Sequence, residues 1–305
     1  MLKNLQGGGY YEIRDSVAPS SDSMPELSID AFEIFARGLD HPEGLAFDAD
    51  GFLWAGGEAG QIYRIDPAGA VETVAHLGGF CAGLAFSPAG ELFVCNVGRG
   101  VVRVAPDGTH SVFAERVDDR PMLCPNYPLF DRRGMLWVSD SGEWKKRNGR
   151  LLRFAPDGAG ETMGGPYGYA NGLALDRSER QLFMIESDTD SVHRFELDGD
   201  GRLGPSALYA ERVGRFPDGL VLDAEGNLLV CCYASDEIYR IAPGGETSLF
   251  AFDPHAILLG GPTNMTFGGA GLDDLYVANL ARTTITRVRA PRRGQPLVFP
   301  PEPAR

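Results

Sequence analysis

The sequence predicts an all-β fold, a six-bladed β-propeller with four antiparallel strands per blade. Three observations carry this. One pattern recurs six times, turn-forming residues are spread along the whole chain, and each recurrence divides into four short strand-like runs. Gly (40) and Pro (21) are abundant among the 305 residues, and hydrophobic residues make up 43%, enough for a sizeable core.

The six copies occupy residues 42–57, 81–96, 125–140, 170–187, 217–232 and 262–279. The residue just before Gly-Leu, or its equivalent, is Glu43, Ala82, Asn126, Asn171, Asp218 and Thr263 in turn. Successive differences between these numbers are 39, 44, 45, 47 and 45, a propeller-blade period. Within a copy, an apolar run such as Gly-Leu-Ala-Phe reads as a strand buried on both faces. Asp-Ala-Asp-Gly and its relatives read as hairpin turns in which Gly supplies a positive φ. Leu-Trp-Ala-Gly or Leu-Trp-Val-Ser is the second strand. An alternating third strand follows at 61–65, 149–154, 191–195 and 237–241, and a fourth at, for example, 71–75 and 247–251.

Four strands in each repeat and six repeats make a closed ring. No linker interrupts the repeat, so residues 29–305 are expected to form a single domain, preceded by a flexible or draped arm over residues 1–28. Either the strand-like segment 31–36 or a weaker one at 297–299 must complete the sixth blade, and the N-terminal one is favoured.

Charge excludes some functions. With 28 basic and 42 acidic residues the chain carries −14, against a nucleic-acid or anionic-membrane partner, both of which call for a basic patch. No apolar run of eighteen residues suggests a membrane helix, and the N-terminus lacks a signal-peptide core, so a cytoplasmic protein is expected. Cys81, Cys95, Cys124, Cys231 and Cys232 have no metal-ligand spacing and read as reduced core thiols. Cys231 and Cys232 adjoin on a strand, where side chains diverge, so no bridge is expected between them. There is no GxSxG elbow, and no two histidines have ligand or dyad spacing.

In a propeller the first strands line the central channel, so the six reference residues should meet near one mouth. Four carry oxygen ligands: Glu43, Asn126, Asn171 and Asp218. Two carboxylates and two amide carbonyls suit one hard divalent cation, most simply Ca²⁺. Trp137 reads as core. Asp140 reads either as a turn cap or as a mouth residue. Glu186 and Asn279, at second-strand ends, are candidate pocket residues.

The motifs Pro42-Glu43-Gly-Leu, Pro125-Asn126, Ala170-Asn171-Gly-Leu and Pro217-Asp218-Gly-Leu resemble the SMP-30/gluconolactonase/luciferin-regenerating-enzyme family over residues ~31–300. The resemblance implies a metal-dependent hydrolase of a lactone or related ester, its divalent cation commonly Ca²⁺ and sometimes Zn²⁺ or Mn²⁺. It gives Glu43, Asn126, Asn171 and Asp218 as ligands, Asp218 also as base or nucleophile, and Asn126 also as a substrate contact. Organophosphate-hydrolysing propellers use a similar set, which leaves that activity as an alternative, and a non-catalytic binding propeller is the other. The sugar-lactonase branch has Arg-x-Asn-Asp around the third-blade ligand. Here Cys124 stands where Arg would be and Tyr127 where Asp would be, so these substrate-binding candidates point to a small molecule less polar than an aldonolactone.

Overall fold

The computed structural model describes residues 24–296. Six four-stranded antiparallel sheets account for nearly all the regular structure, five of them built from four consecutive strands. The first blade runs Leu45–Phe47, Leu53–Gly56, Gln61–Ile65 and Val71–His76. The sixth comprises Pro262–Gly268, Asp274–Asn279 and Thr284–Arg289, completed by the N-terminal strand Glu33–Arg37. That strand pairs antiparallel, with Glu33 opposite Arg287 and Arg37 opposite Thr284. First-strand contacts run from each blade to the next, and from the sixth back to the first. The ring is therefore closed by the N-terminal strand, as the sequence favours. The weaker candidate at 297–299 lies outside the described residues.

Residues 1–23 of the expected arm also lie outside them. Its last part is fastened: the Glu26 and Leu27 N–H groups donate to Leu249 and Phe250 on the outer strand of the fifth blade, and Glu26 pairs with Arg240 at 3.0 Å. A two-stranded ribbon, Arg116–Val117 with Arg120–Pro121, was not anticipated.

The hairpin turns follow the expected chemistry. Gly51, Gly90, Gly134 and Gly226 all have positive φ. Ahead of three of these turns stands an aspartate whose carboxylate accepts the turn N–H groups, as Asp48 does from Asp50 and Phe52. In the first and third blades that aspartate also takes the indole N–H of Trp54 or Trp137, at 2.8 and 3.2 Å.

Six apolar clusters fill the six seams between adjacent blades. Trp137, fully buried, lies in the seam between blades three and four. Cys231 packs in the seam between blades five and six, and Cys232 in the seam between four and five. The adjacent thiols thus face opposite sides of their sheet, and all five cysteines are free and buried.

The glycine after the reference residue has a purpose the repeat alone does not disclose. A Cβ on Gly44 would lie 2.3 Å from the Ala82 carbonyl oxygen, one on Gly172 2.5 Å from that of Asp218, and one on Gly219 2.4 Å from that of Thr263. At these three positions the first strand lies so close to the next that no side chain fits between them. Gly172→Ala should therefore push backbone against backbone and destabilise by roughly 1–3 kcal/mol or more. Gly199, with open space around its Cβ position and no positive φ, is the control and should be near neutral as Ala. Thermal unfolding of the two variants checks this, and equal midpoints would contradict it.

Candidate metal centre

The first strands deliver their opening residues to the axis by breaking register. In blades two to six, pairing with the second strand shifts across the reference position, for instance between Ala170/Leu173 and Pro217/Leu220. A bulge there takes the residue out of the ladder and re-aims its side chain. Glu43, Asn126, Asn171 and Asp218 are all buried, as are Ala82 and Thr263 at the two non-ligating positions.

Three of the four candidates are electrostatically coupled or hydrogen-bonded to one another. Burial pushes the Glu43 carboxyl up to about 7, with the Thr263 hydroxyl partly offsetting it. Burial raises Asp218 well above the carboxylate range, the negative charge of Glu43 adds to this, and the Asn171 amide opposes it. Asn126 opens the first strand of the third blade at the equivalent position. Two buried oxygens, Glu43 Oε2 and Asn171 Oδ1, have no hydrogen-bond partner. The Asn171 amide is oriented from behind: its Nδ2 donates to Ser187 Oγ at 3.2 Å, and Ser187 Oγ donates to the Pro217 carbonyl at 2.6 Å. Its carbonyl oxygen is left without a partner, on a side chain that neighbours the buried Asp218. Such a group is costly unless something positive meets it.

The other sequence candidates divide. Cys124 lies near the centre: the Glu43 and Asp140 charges act on its thiol, which burial pushes up to about 12, so it is a poor nucleophile. Tyr127 reaches from the third blade to the fifth, its hydroxyl donating to the Leu220 carbonyl at 3.3 Å. Asp140 is a cap. It accepts from the Leu123 and Cys124 N–H groups and pairs with buried Arg150 at 2.8 Å, fixing the approach to Asn126. Glu186 and Asn279 are engaged by their own neighbours. Glu186 meets His193 and Arg147, each at 2.9 Å, and the Gly168 N–H at 2.7 Å. Burial pushes its carboxyl up, but those partners outweigh burial and hold it below its ordinary value. Asn279 accepts from the Gly260 N–H and donates to Val277, Thr284 and Thr286 within its own blade. Strand-end position alone did not reveal that both side chains were already occupied.

Two features escaped sequence reasoning. His41, Tyr169, Phe216 and Gly261, each two residues before a reference position, all have positive φ of 45–64°. For histidine and aromatic residues this conformation is uncommon, and it costs roughly 1–3 kcal/mol each. Second, Trp144, Tyr169, Phe216 and Tyr233 form one aromatic cluster, with ring centroids 5.0–5.9 Å apart. The recurring aromatic-x-Asn and aromatic-x-Asp spacing was the available signal. On the first blade the neighbourhood is polar instead: His41 Nδ1 lies 3.0 Å from Asp40 and 3.3 Å from Glu58.

The architecture defines the class: a six-bladed propeller with two buried acids and two buried amides at equivalent positions of four blades. The profile of the SMP-30/Gluconolactonase/LRE-like region matches residues 41–281, and the chain belongs to that family. It is 26% identical to a strictosidine synthase-like protein of Arabidopsis thaliana, over 77% of this chain and 67% of that one. It is 27% identical to the diisopropyl-fluorophosphatase of Loligo vulgaris, over 67% and 75%. With the gluconolactonase of Zymomonas mobilis the identity is 26%, over 70% and 64%. A calcium-binding regucalcin from Agrobacterium tumefaciens superposes with a TM-score of 0.72 at 19% identity, covering 87% of this chain and 96% of that one. It is a likeness of fold.

The two raised carboxyls make a pH prediction. The folded chain keeps protons on Glu43 and Asp218 at pH values where the unfolded chain has released them. In chelator, their contribution to stability should be present below the usual glutamate value of 4.5 and be lost as pH rises through about 7. Asp218→Asn should flatten that decline. Unfolding midpoints against pH measure it, and identical profiles for the two proteins would contradict the coupling.

Proposed function

We propose that this chain is a divalent-cation-dependent hydrolase of a lactone or related ester, with residues 29–305 acting as one propeller domain. The observation carrying the reading is the buried set at the axis: two carboxyls pushed up by burial, and two oxygens without a partner. A divalent ion fits this set, because two ionised carboxylates balance its charge and amide carbonyls suit a hard cation. Glu43, Asn126, Asn171 and Asp218 would hold it, and Ca²⁺ is the proposed ion. When bound, the cation supplies electrophilic polarisation of the substrate carbonyl.

The residues of the chain do the rest. Glu43 and the two asparagines orient the site, and Ser187 keeps the Asn171 carbonyl turned inward. Asp218 is the proton acceptor. It takes the proton of the attacking water as the water oxygen adds to the carbonyl carbon, and returns it to the alkoxide as the ester C–O bond breaks. Cys124 and Tyr127 replace the guanidinium and carboxylate expected for a sugar lactone, favouring a less polar substrate. The charge of −14 favours a small molecule over nucleic acid or membrane, and a cytoplasmic location is part of the proposal. The similarity to the Loligo vulgaris enzyme supports a second reading, hydrolysis of an organophosphate at the same residues.

A panel of lactones, carboxylic esters and phosphotriesters, each with and without chelator, tests the proposal. Turnover should vanish with chelator and return with Ca²⁺. At saturating Ca²⁺, Asp218→Asn should cut kcat by roughly 10²–10⁴-fold while the protein stays folded, the scale of losing a general base. Near-wild-type turnover by that variant would move the proton acceptor elsewhere. Chelator-insensitive stability with no turnover on any substrate would favour a binding propeller.

A further inference from the structure

The mouth around the axial residues is chemically two-sided. Towards blades three to five stand four rings. Tyr169 and Phe216 each lie two residues before a ligand candidate, Asn171 and Asp218, with left-handed backbone. Their centroids are 5.6 Å apart, and Trp144 lies 5.2 Å from the first and 5.0 Å from the second. Tyr233 continues the row at 5.9 Å from Phe216. Tyr169 reaches inward, its hydroxyl 3.9 Å from Cys124 Sγ, the thiol on which the Glu43 charge acts. On the first blade the mouth presents His41 between Asp40 and Glu58, all three partly exposed.

Trp144 is the ring that the fold holds out on purpose. It sits on the hairpin between the second and third strands of the third blade, where Lys145 and Arg147 also take positive φ. Two ties secure that hairpin. The Asn148 side chain accepts from the Glu143 N–H and donates to its carboxylate, and Arg147 reaches the fourth blade to pair with buried Glu186 at 2.9 Å. Glu186 therefore fastens this hairpin across the seam. Trp54 and Trp137 are buried in seams, whereas Trp144 is only partly buried.

We propose that Trp144, backed by Tyr169 and Phe216, is a specificity-determining platform for a flat apolar group, most simply an aromatic ring, attached to the ester or lactone. This rests on the reading of the axial site as a hydrolase. The scissile group lies towards the axial carboxyls, the ring stacks against the aromatic side, and polar substituents face the first blade. A packed aromatic pair is worth roughly 0.5–1.5 kcal/mol beyond area burial, which converts to about a 2- to 12-fold effect on the substrate's apparent affinity.

Two matched compounds test it: γ-phenyl-γ-butyrolactone and unsubstituted γ-butyrolactone, with the hydrolysis-resistant 5-phenyl-2-pyrrolidinone as a binding probe. The wild-type protein should show a severalfold higher kcat/KM for the phenyl lactone. Trp144→Ala should raise KM for that compound about 2- to 12-fold, with little change in kcat for either lactone, and Trp144→Phe should restore most of the loss. The phenyl lactam should quench tryptophan emission, and Trp144→Phe should abolish the quench. Turnover of both lactones without a phenyl preference, or an equal loss for both in Trp144→Ala, overturns the platform and leaves the hydrolase reading intact. Quenching by the phenyl lactam without turnover of either lactone keeps the platform and removes support for the hydrolase. Absence of both quenching and turnover overturns the platform.

Discussion

The close approach of the first strands around the axis is the constraint on which the rest of the molecule depends. At Gly44, Gly172 and Gly219 the neighbouring blade's carbonyl stands within 2.5 Å of where a Cβ would be, so the ring closes only with glycine there. That carbonyl belongs to the next blade's reference residue: Ala82, Asp218 or Thr263. One geometric demand thus sets both how tightly the blades pack and where the axial side chains emerge. The bulges in blades two to six complete the arrangement by freeing those residues from the ladder.

Crowding at the axis also creates the electrostatic problem that makes the site. Glu43 and Asp218 are withdrawn from water and held near each other, so their ionised forms are disfavoured by burial first and by mutual repulsion second. Hydroxyl and amide neighbours relieve this only in part. Ser187 takes an Asn171 N–H, and the Asn171 carbonyl oxygen is left without a partner. A fold selected for stability alone would gain by replacing such a cluster with apolar residues. Retaining it is the expected cost of a site whose function needs unmet oxygens.

Much of this was legible in the sequence, and for a physical reason. Turn glycines, alternating strands and the blade period are local, and repetition multiplies a weak local signal into a strong one. Register also put the six reference residues at equivalent positions of the ring, although successive ones lie 39–47 residues apart. What stayed hidden depends on contacts between blades. Glu186 and Asn279 look like Asp218 in one dimension, since each is a polar residue at a strand end. Only three-dimensional neighbours, Arg147 with His193 in one case and Gly260 with Thr286 in the other, show that they are already occupied. The aromatic side of the mouth was hidden likewise, because its rings come from segments about 90 residues apart, from Trp144 to Tyr233. Asp140 left two readings open in the sequence, and its bonds to Leu123, Cys124 and Arg150 decide for the cap.

The central claim is that Glu43, Asn126, Asn171 and Asp218 together hold one divalent cation. Anomalous X-ray diffraction from crystals equilibrated with Ca²⁺, and with Mn²⁺ as the stronger scatterer, tests it most directly. The account predicts a single strong axial peak with oxygens of all four residues at about 2.3–2.6 Å for Ca²⁺. A structure in which these side chains hold no ion, or in which the only peak lies at Asp40, His41 and Glu58, would contradict it.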